Sequence, residues 1–156
     1  MAHAFTYGSL MWADIMARVC GAPSLAERAP LPATLADHVR HPVLGQDYPG
    51  MVPADGHEVH GRLYLDLPDA AWPRLDAFEG QTYERREVLV TVPDGRWLRA
   101  WTYVYREAWR HQLGAGAWDE QRFEREGKAR FIASYVGFGA GADGPAGTGD
   151  GSVERG

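Results

Sequence analysis

The chain has 156 residues, 45% of them apolar, with a net charge of −5 and a pI of about 5.6. That length predicts one domain with enough side chains to bury a core. Both signs of charge are mixed along it and no basic run is present, which argues against nucleic acid as the main partner.

The single cysteine, Cys20, has no internal disulfide partner and suits a reducing compartment. No basic segment followed by a long apolar run opens the chain, and no apolar run approaches the roughly 20 residues that span a bilayer. A soluble, cytoplasmic protein with no membrane partner is the expectation.

The first element is a short strand, Ala4-Phe5-Thr6-Tyr7, leading into Gly8-Ser9-Leu10. Trp12, Ile15, Met16 and Val19 then recur at helical spacing, and Gly21-Ala22-Pro23 stops the helix. A glycine between strand and helix allows backbone angles that other residues avoid and lets the main chain approach a ligand. The first N–H groups of the following helix have no partner inside it and can hold a carboxylate or an oxyanion. Gly8 to Leu10 are therefore a candidate anion cradle.

Residues 29–43 hold Pro30, Pro32 and Pro42 around Leu31, Leu35 and Val39. They predict an irregular strand near a sheet edge. Residues 44–55 are rich in Gly and Pro and predict a loop. Residues 58–67 alternate, with Val59, Gly61, Leu63, Leu65 and Leu67 on one face and His60, Arg62, Tyr64 and Asp66 on the other.

Pro68-Asp69 predicts the start of a short helix with Asp69 as N-cap, Pro73 in its first turns and Gly80 as its stop. A hairpin follows: Val88, Val90 and Val92, a Pro93-Asp94-Gly95 turn, and a return strand from Trp97 to Tyr105. Both faces of that strand carry bulk, as expected in a closed or strongly curved sheet. Residues 109–116 read as a linker. Asp119 and Glu120 start a last helix with Phe123, Gly127, Phe131, Ile132 and Tyr135 inward. Residues 139–156 are Gly-, Ala- and Asp-rich and predict a disordered tail after a domain spanning 1–138. Strands outnumber helices and adjoin one another. The predicted class is α+β, with a small mixed or antiparallel β-barrel flanked by helices.

A second candidate for chemistry is Glu79, between Phe78 and Gly80 at a helix end. The negative end of the helix dipole and nearby aromatics both disfavour its charged form and push its pKa toward a range useful for proton transfer. The alternative from spacing alone is a solvated surface acid.

Together, Tyr7-Gly8-Ser9-Leu10, Tyr48-Pro49, Gly61-Arg62-Leu63-Tyr64, Leu75-Asp76-Ala77-Phe78-Glu79-Gly80, Tyr83-Glu84-Arg85 and Trp118-Asp119 occur in an order that resembles the γ-glutamylcyclotransferase-like superfamily. The nearest branch is that of the plant avirulence-induced proteins, and the resemblance runs over about residues 4 to 137. It implies a barrel-containing fold with the pocket at one barrel mouth. It implies that Tyr7, Gly8, Ser9 and Leu10 bind a substrate carboxylate through backbone N–H groups, and that Glu79 is the general acid/base. Tyr83 is expected to hydrogen-bond the substrate or to orient Glu79. The implied reaction releases 5-oxoproline from a small γ-glutamyl amine or peptide, with no metal and no organic cofactor. Two alternatives stand beside it: a non-catalytic binding module on the same fold, and an enzyme acting on a different acyl amide.

Other signals carry less. Cys20 ends an apolar helix and reads as a small core residue. His38/His41 and His57/His60 have ligand-like spacing but fall in strand and loop, without a matched third ligand. Gly137, Gly139 and Gly141 follow a helix rather than precede one, the wrong context for a phosphate loop. Trp97, Trp101, Tyr103 and Tyr105 share a face better used in barrel packing than in base stacking.

Overall fold

The computed structural model describes residues 2–134. Five strands, β1 (Ala2–Thr6), β2 (Leu31–Pro42), β3 (Pro49–Leu67), β4 (Tyr83–Thr91) and β5 (Trp97–Tyr105), form a closed barrel in the order β1-β3-β2-β4-β5. Every pairing is antiparallel except β1 with β5, which meet in parallel at Ala4 and Trp101. The α+β barrel expected from the sequence is the architecture found.

One face of each strand fills the bore. Phe5, Leu35, Met51, Leu63, Val90 and Val104, drawn from all five strands, are buried together there. The opposite faces meet the helices. α1 (Ala13–Cys20) and α2 (Ala71–Glu79) bury Ile15, Met16, Trp72 and Leu75 in a second cluster with Tyr64, Leu67 and Tyr103. The bulk on both faces of β5 has this cause: Ala100 and Val104 enter the bore, while Tyr103 and Tyr105 pack outward under the helices.

Gly61 is required by packing. A side chain there would collide with the Thr6 carbonyl and the Phe5 ring, because β1 and β3 cross closely at this point. Gly21 and Gly80 end α1 and α2 at φ of 66° and 80°, as their sequence positions predict.

Several expectations are corrected. β2 is no edge strand, because it lies between β3 and β4; the β4 side is held by a single rung, Thr34 to Thr91, so Pro32 and Pro42 lose no ladder bond there. The predicted loop 44–55 becomes strand from Pro49 onward. Its prolines sit where no ladder donor is needed, Pro49 at the strand start and Pro53 beside the irregularity at Asp37 (φ 59°).

The alternation over 58–67 breaks at Asp66 (φ 51°), which bulges. Leu63 therefore lies in the bore, while Tyr64 and Leu67 both join the helix-side cluster. Asp69 does not cap α2; Ala70 holds that place, and the Ala71 N–H closes on the Pro68 carbonyl at 2.9 Å. Residues Glu107–Gln112 wind into a 3-10 helix rather than a bare linker. The last helix begins where predicted, with the Asp119 carboxylate accepting from the Arg122 N–H at 3.0 Å. It runs as α3 (Glu120–Arg122), a π turn (Phe123–Gly127) and α4 (Lys128–Ser134). The expectations for Tyr135 and for the tail lie outside the described residues.

Candidate active site

β1 ends at Thr6, and the chain turns through Tyr7 and Gly8 into a 3-10 helix, Ser9–Met11. The turn's own hydrogen bonds begin with the Met11 N–H to the Gly8 carbonyl (2.9 Å) and the Trp12 N–H to the Ser9 carbonyl (3.3 Å). The amides of Ser9 and Leu10 are thus not used inside the turn. Gly8 has φ −130°, outside the left-handed region, so its use is close approach rather than left-handed backbone.

Two long side chains hold this loop by its carbonyls. Arg40 from β2 donates to the Tyr7 carbonyl at 2.5 Å. Tyr64 from β3 donates to the Leu10 carbonyl at 2.8 Å. Across a trans peptide the N–H points opposite to the carbonyl. Fixing the Tyr7 carbonyl on Arg40 therefore turns the Gly8 N–H to the other side.

Glu79 is the last residue of α2 and is 2% exposed. Its Oε1 has no hydrogen-bond partner among the described residues. Burial pushes its pKa well above the usual carboxylate range, and the nearby Asp76 carboxylate adds to the rise. The solvated-acid alternative is excluded by this burial. α2 places Glu79 there because Trp72, Leu75 and Phe78 are also buried, which turns the carboxylate inward with them.

Glu79 lines a narrow cavity with Tyr7, Leu10, Met16, Trp101 and Tyr103. The cavity is walled by β1 and β5 of the sheet, the loop after β1, and α1 and α2. Its volume is about 10 Å³, room for roughly one water. Trp101 and Tyr103 also line an open groove of about 950 Å³, together with Asp76, Gly80, Arg85 and Arg106.

Of the sequence-predicted residues, Tyr7, Leu10 and Glu79 meet in the cavity wall. Ser9 is fully buried, and its Oγ has no partner among the described residues. The Tyr83 hydroxyl donates to the Pro49 carbonyl at 2.8 Å, so it is already engaged by the Tyr48-Pro49 segment. Burial raises the pKa of both Tyr83 and Tyr7, and the charge of Glu79 raises each further, which places all three in one electrostatic neighbourhood. Tyr7 in turn donates to the Tyr103 carbonyl at 2.7 Å.

Arg40 and Tyr103 were not singled out as site residues by sequence. Arg40 lies among prolines and histidines in the sequence; its side chain is 16% exposed, sits over Trp118 at 5.2 Å and pairs with Glu120 at 3.6 Å. Burial lowers its pKa from the usual guanidinium value. Tyr103 was visible only as one aromatic in a stripe.

No three His, Cys, Asp or Glu side chains converge as a metal set among the described residues. Among them, no helix is long and apolar enough to cross a membrane.

The family model described as gamma-glutamyl cyclotransferase, AIG2-like, matches residues 4–120. AIG2-like protein D of Arabidopsis thaliana is 34% identical over 129 residues, covering 80% of both chains. AIG2-like protein B of the same plant is 30% identical over 135 residues, covering 85% of this chain and 74% of its own. A solution structure of an Arabidopsis thaliana protein superposes with a TM-score of 0.60 at 27% identity, over 92% of this chain and 94% of its own. A structure described as a gamma-glutamyl cyclotransferase shares the fold with a TM-score of 0.56 at 21% identity, over 67% of this chain and 66% of its own. The motifs, the closed barrel and these matches agree: the chain belongs to the AIG2-like γ-glutamyl cyclotransferase family.

Proposed function

We propose that this protein is a γ-glutamylcyclotransferase that releases 5-oxoproline from a small γ-glutamyl amine or peptide. The observation that carries the reading is Glu79: a buried carboxyl group with an unpartnered oxygen, in one cavity with Tyr7 and Leu10 of the amide-bearing loop.

The substrate holds its own nucleophile. Its α-amine attacks the γ-carbonyl carbon, a five-membered ring closes, and the bond from that carbon to the leaving nitrogen breaks. Folding the chain into this shape supplies a high effective molarity. Three tasks remain. The loop amides of Ser9 and Leu10 hold the substrate carboxylate or the charge that develops on the γ-oxygen. Glu79 accepts a proton from the α-ammonium group and returns one to the leaving nitrogen. The arriving ammonium favours the carboxylate form of Glu79, so a raised pKa in the empty site suits both halves of the cycle. The reading calls on no metal or organic cofactor.

A γ-glutamyl group exceeds the cavity's volume of about 10 Å³, so its binding widens the cavity. The open groove that Trp101 and Tyr103 also line offers space for the leaving amine.

The test is mass-spectrometric detection of 5-oxoproline from a mixed γ-glutamyl library, with Glu79→Gln as control. Product from the parent protein and none above background from the variant supports the reading. Thermal stabilisation by the same compounds without product assigns the protein instead to ligand binding.

A further inference from the structure

The carboxylate of Asp76 is occupied on both oxygens. Tyr103 donates its hydroxyl to Oδ1 at 2.6 Å, and Arg85 donates to Oδ2 at 3.2 Å. Asp76 precedes Glu79 by three residues on α2, a spacing that puts the two on adjoining positions of one helix face, with Cβ atoms about 5–6 Å apart. Tyr103 lines the Glu79 cavity, and its backbone carbonyl accepts from the Tyr7 hydroxyl. One residue of β5 therefore touches the acid's helix, the acid's cavity and the residue that opens the amide loop.

We propose that Asp76 and Tyr103 are the positioning pair for Glu79: Tyr103 pins the Asp76 carboxylate beside Glu79 while its carbonyl anchors Tyr7, so that the proton carrier and the amide loop are set by a single strand residue. The inference deepens the cyclotransferase reading and rests on it for its meaning in catalysis.

The groups that face Glu79 leave Asp76 as the charge that matters. The end of β1 presents Tyr7, β4 presents Tyr83 and β5 presents Tyr103, all phenols whose pKa values burial raises, and α1 contributes apolar Met16. Arg85 of β4 is bonded to Asp76 and lies over Trp72 and Trp101 at 5.0 and 5.4 Å. A negative charge one turn away opposes ionisation of Glu79, and its hold depends on where the half-exposed Asp76 carboxylate points. Without the Tyr103 hydroxyl, Arg85 alone holds that carboxylate, by Oδ2, and its other oxygen can turn toward water.

The test needs no turnover. Protein labelled with 13C at glutamate side-chain carboxyls is titrated by NMR, and the Glu79 signal is assigned by its loss in Glu79→Gln. Asp76→Asn is expected to lower the Glu79 midpoint by about half a pH unit to one pH unit. Asp76→Glu keeps the charge and is expected to retain at least about half of that contribution. Tyr103→Phe keeps the ring and the carbonyl that holds Tyr7, and is expected to move the midpoint down as Asp76→Asn does. A midpoint that Asp76→Asn leaves in place, or that Asp76→Glu lowers as far as Asp76→Asn does, overturns the proposal. So does a midpoint that Tyr103→Phe leaves in place or raises. Failure of 5-oxoproline release with these shifts present sinks the cyclotransferase reading alone.

Discussion

The hydroxyl of Tyr7 and the backbone carbonyl of Tyr103 are joined by a 2.7 Å hydrogen bond, and both residues line the same cavity as Glu79. This bond ties the loop after the first strand to the last strand of the barrel. It turns a glycine-containing loop and a helix-terminal acid, distant in sequence, into neighbours.

Replacing Glu79 by Gln preserves shape and removes the proton carrier. Release of 5-oxoproline is expected to fall by roughly 10²–10⁴-fold, the range for loss of a general acid/base. Far-UV circular dichroism should remain that of the parent. Parent-like turnover in the variant would show that the proton moves elsewhere.

The same substitution has a stability signature. The folded pKa of Glu79 is raised, so between the ordinary carboxylate range and that raised value the folded state binds more protons than the unfolded chain. Stability then falls as pH rises through this window. Glutamine does not titrate. Glu79→Gln is expected to match the parent at pH 4 and to melt higher at pH 8, by roughly 2–4 °C per kcal/mol in a domain of this size. Equal melting curves at pH 8 would mean that the buried acid costs nothing when charged.

Ser9 is buried with its hydroxyl unpartnered among the described residues. The loop acts through its amides in the proposed chemistry, so Ser9→Ala is expected to keep most activity. Its stability should be unchanged or higher by about 1 kcal/mol, because a buried polar atom without a partner is removed. Abolished turnover with an intact fold would assign chemistry to the hydroxyl.

Gly61 has no room for a methyl group against the Thr6 carbonyl and the Phe5 ring. Gly61→Ala is expected to destabilise by about 1–3 kcal/mol through displacement of β1. Urea unfolding measures it. The same shift moves Tyr7, so KM should rise in any variant that still folds.

Cys20 is buried at the end of α1, and burial pushes its thiol up to about 12. Native protein at pH 8 should react with iodoacetamide far more slowly than a free thiol. The rate should recover in denaturant; rapid native alkylation would show that α1 opens.

The legible parts of this molecule were those whose signals are local. Gly21 and Gly80 mark helix ends because a left-handed residue at the C-terminus favours glycine, and both have positive φ. The two-sided bulk of β5 announced a strand with packing on both faces. The misread parts depended on partners. Prolines made 44–55 look like loop, yet Pro49 and Pro53 stand at a strand start and beside a bulge, and only the course of β2 shows it. The bulge at Asp66, which moves Leu67 out of the bore, is set by pairing with β1 and leaves no trace in the alternating pattern.

By itself the sequence determined the class of fold, the motif order that marks the family, and which loop and which acid were candidates for chemistry. The fold class follows from local backbone preference and side-chain periodicity, which act over a few residues; the family and the roles of the loop and the acid came from the resemblance of the motifs. Tertiary structure alone decided that Glu79 is buried and not solvated, that Arg40 and Tyr64 hold the loop by its carbonyls, and that Tyr103 links Tyr7 to Asp76. The physical reason is that desolvation and hydrogen-bond partnership belong to closure of the barrel, which brings β5 back beside β1, and no single segment carries that information.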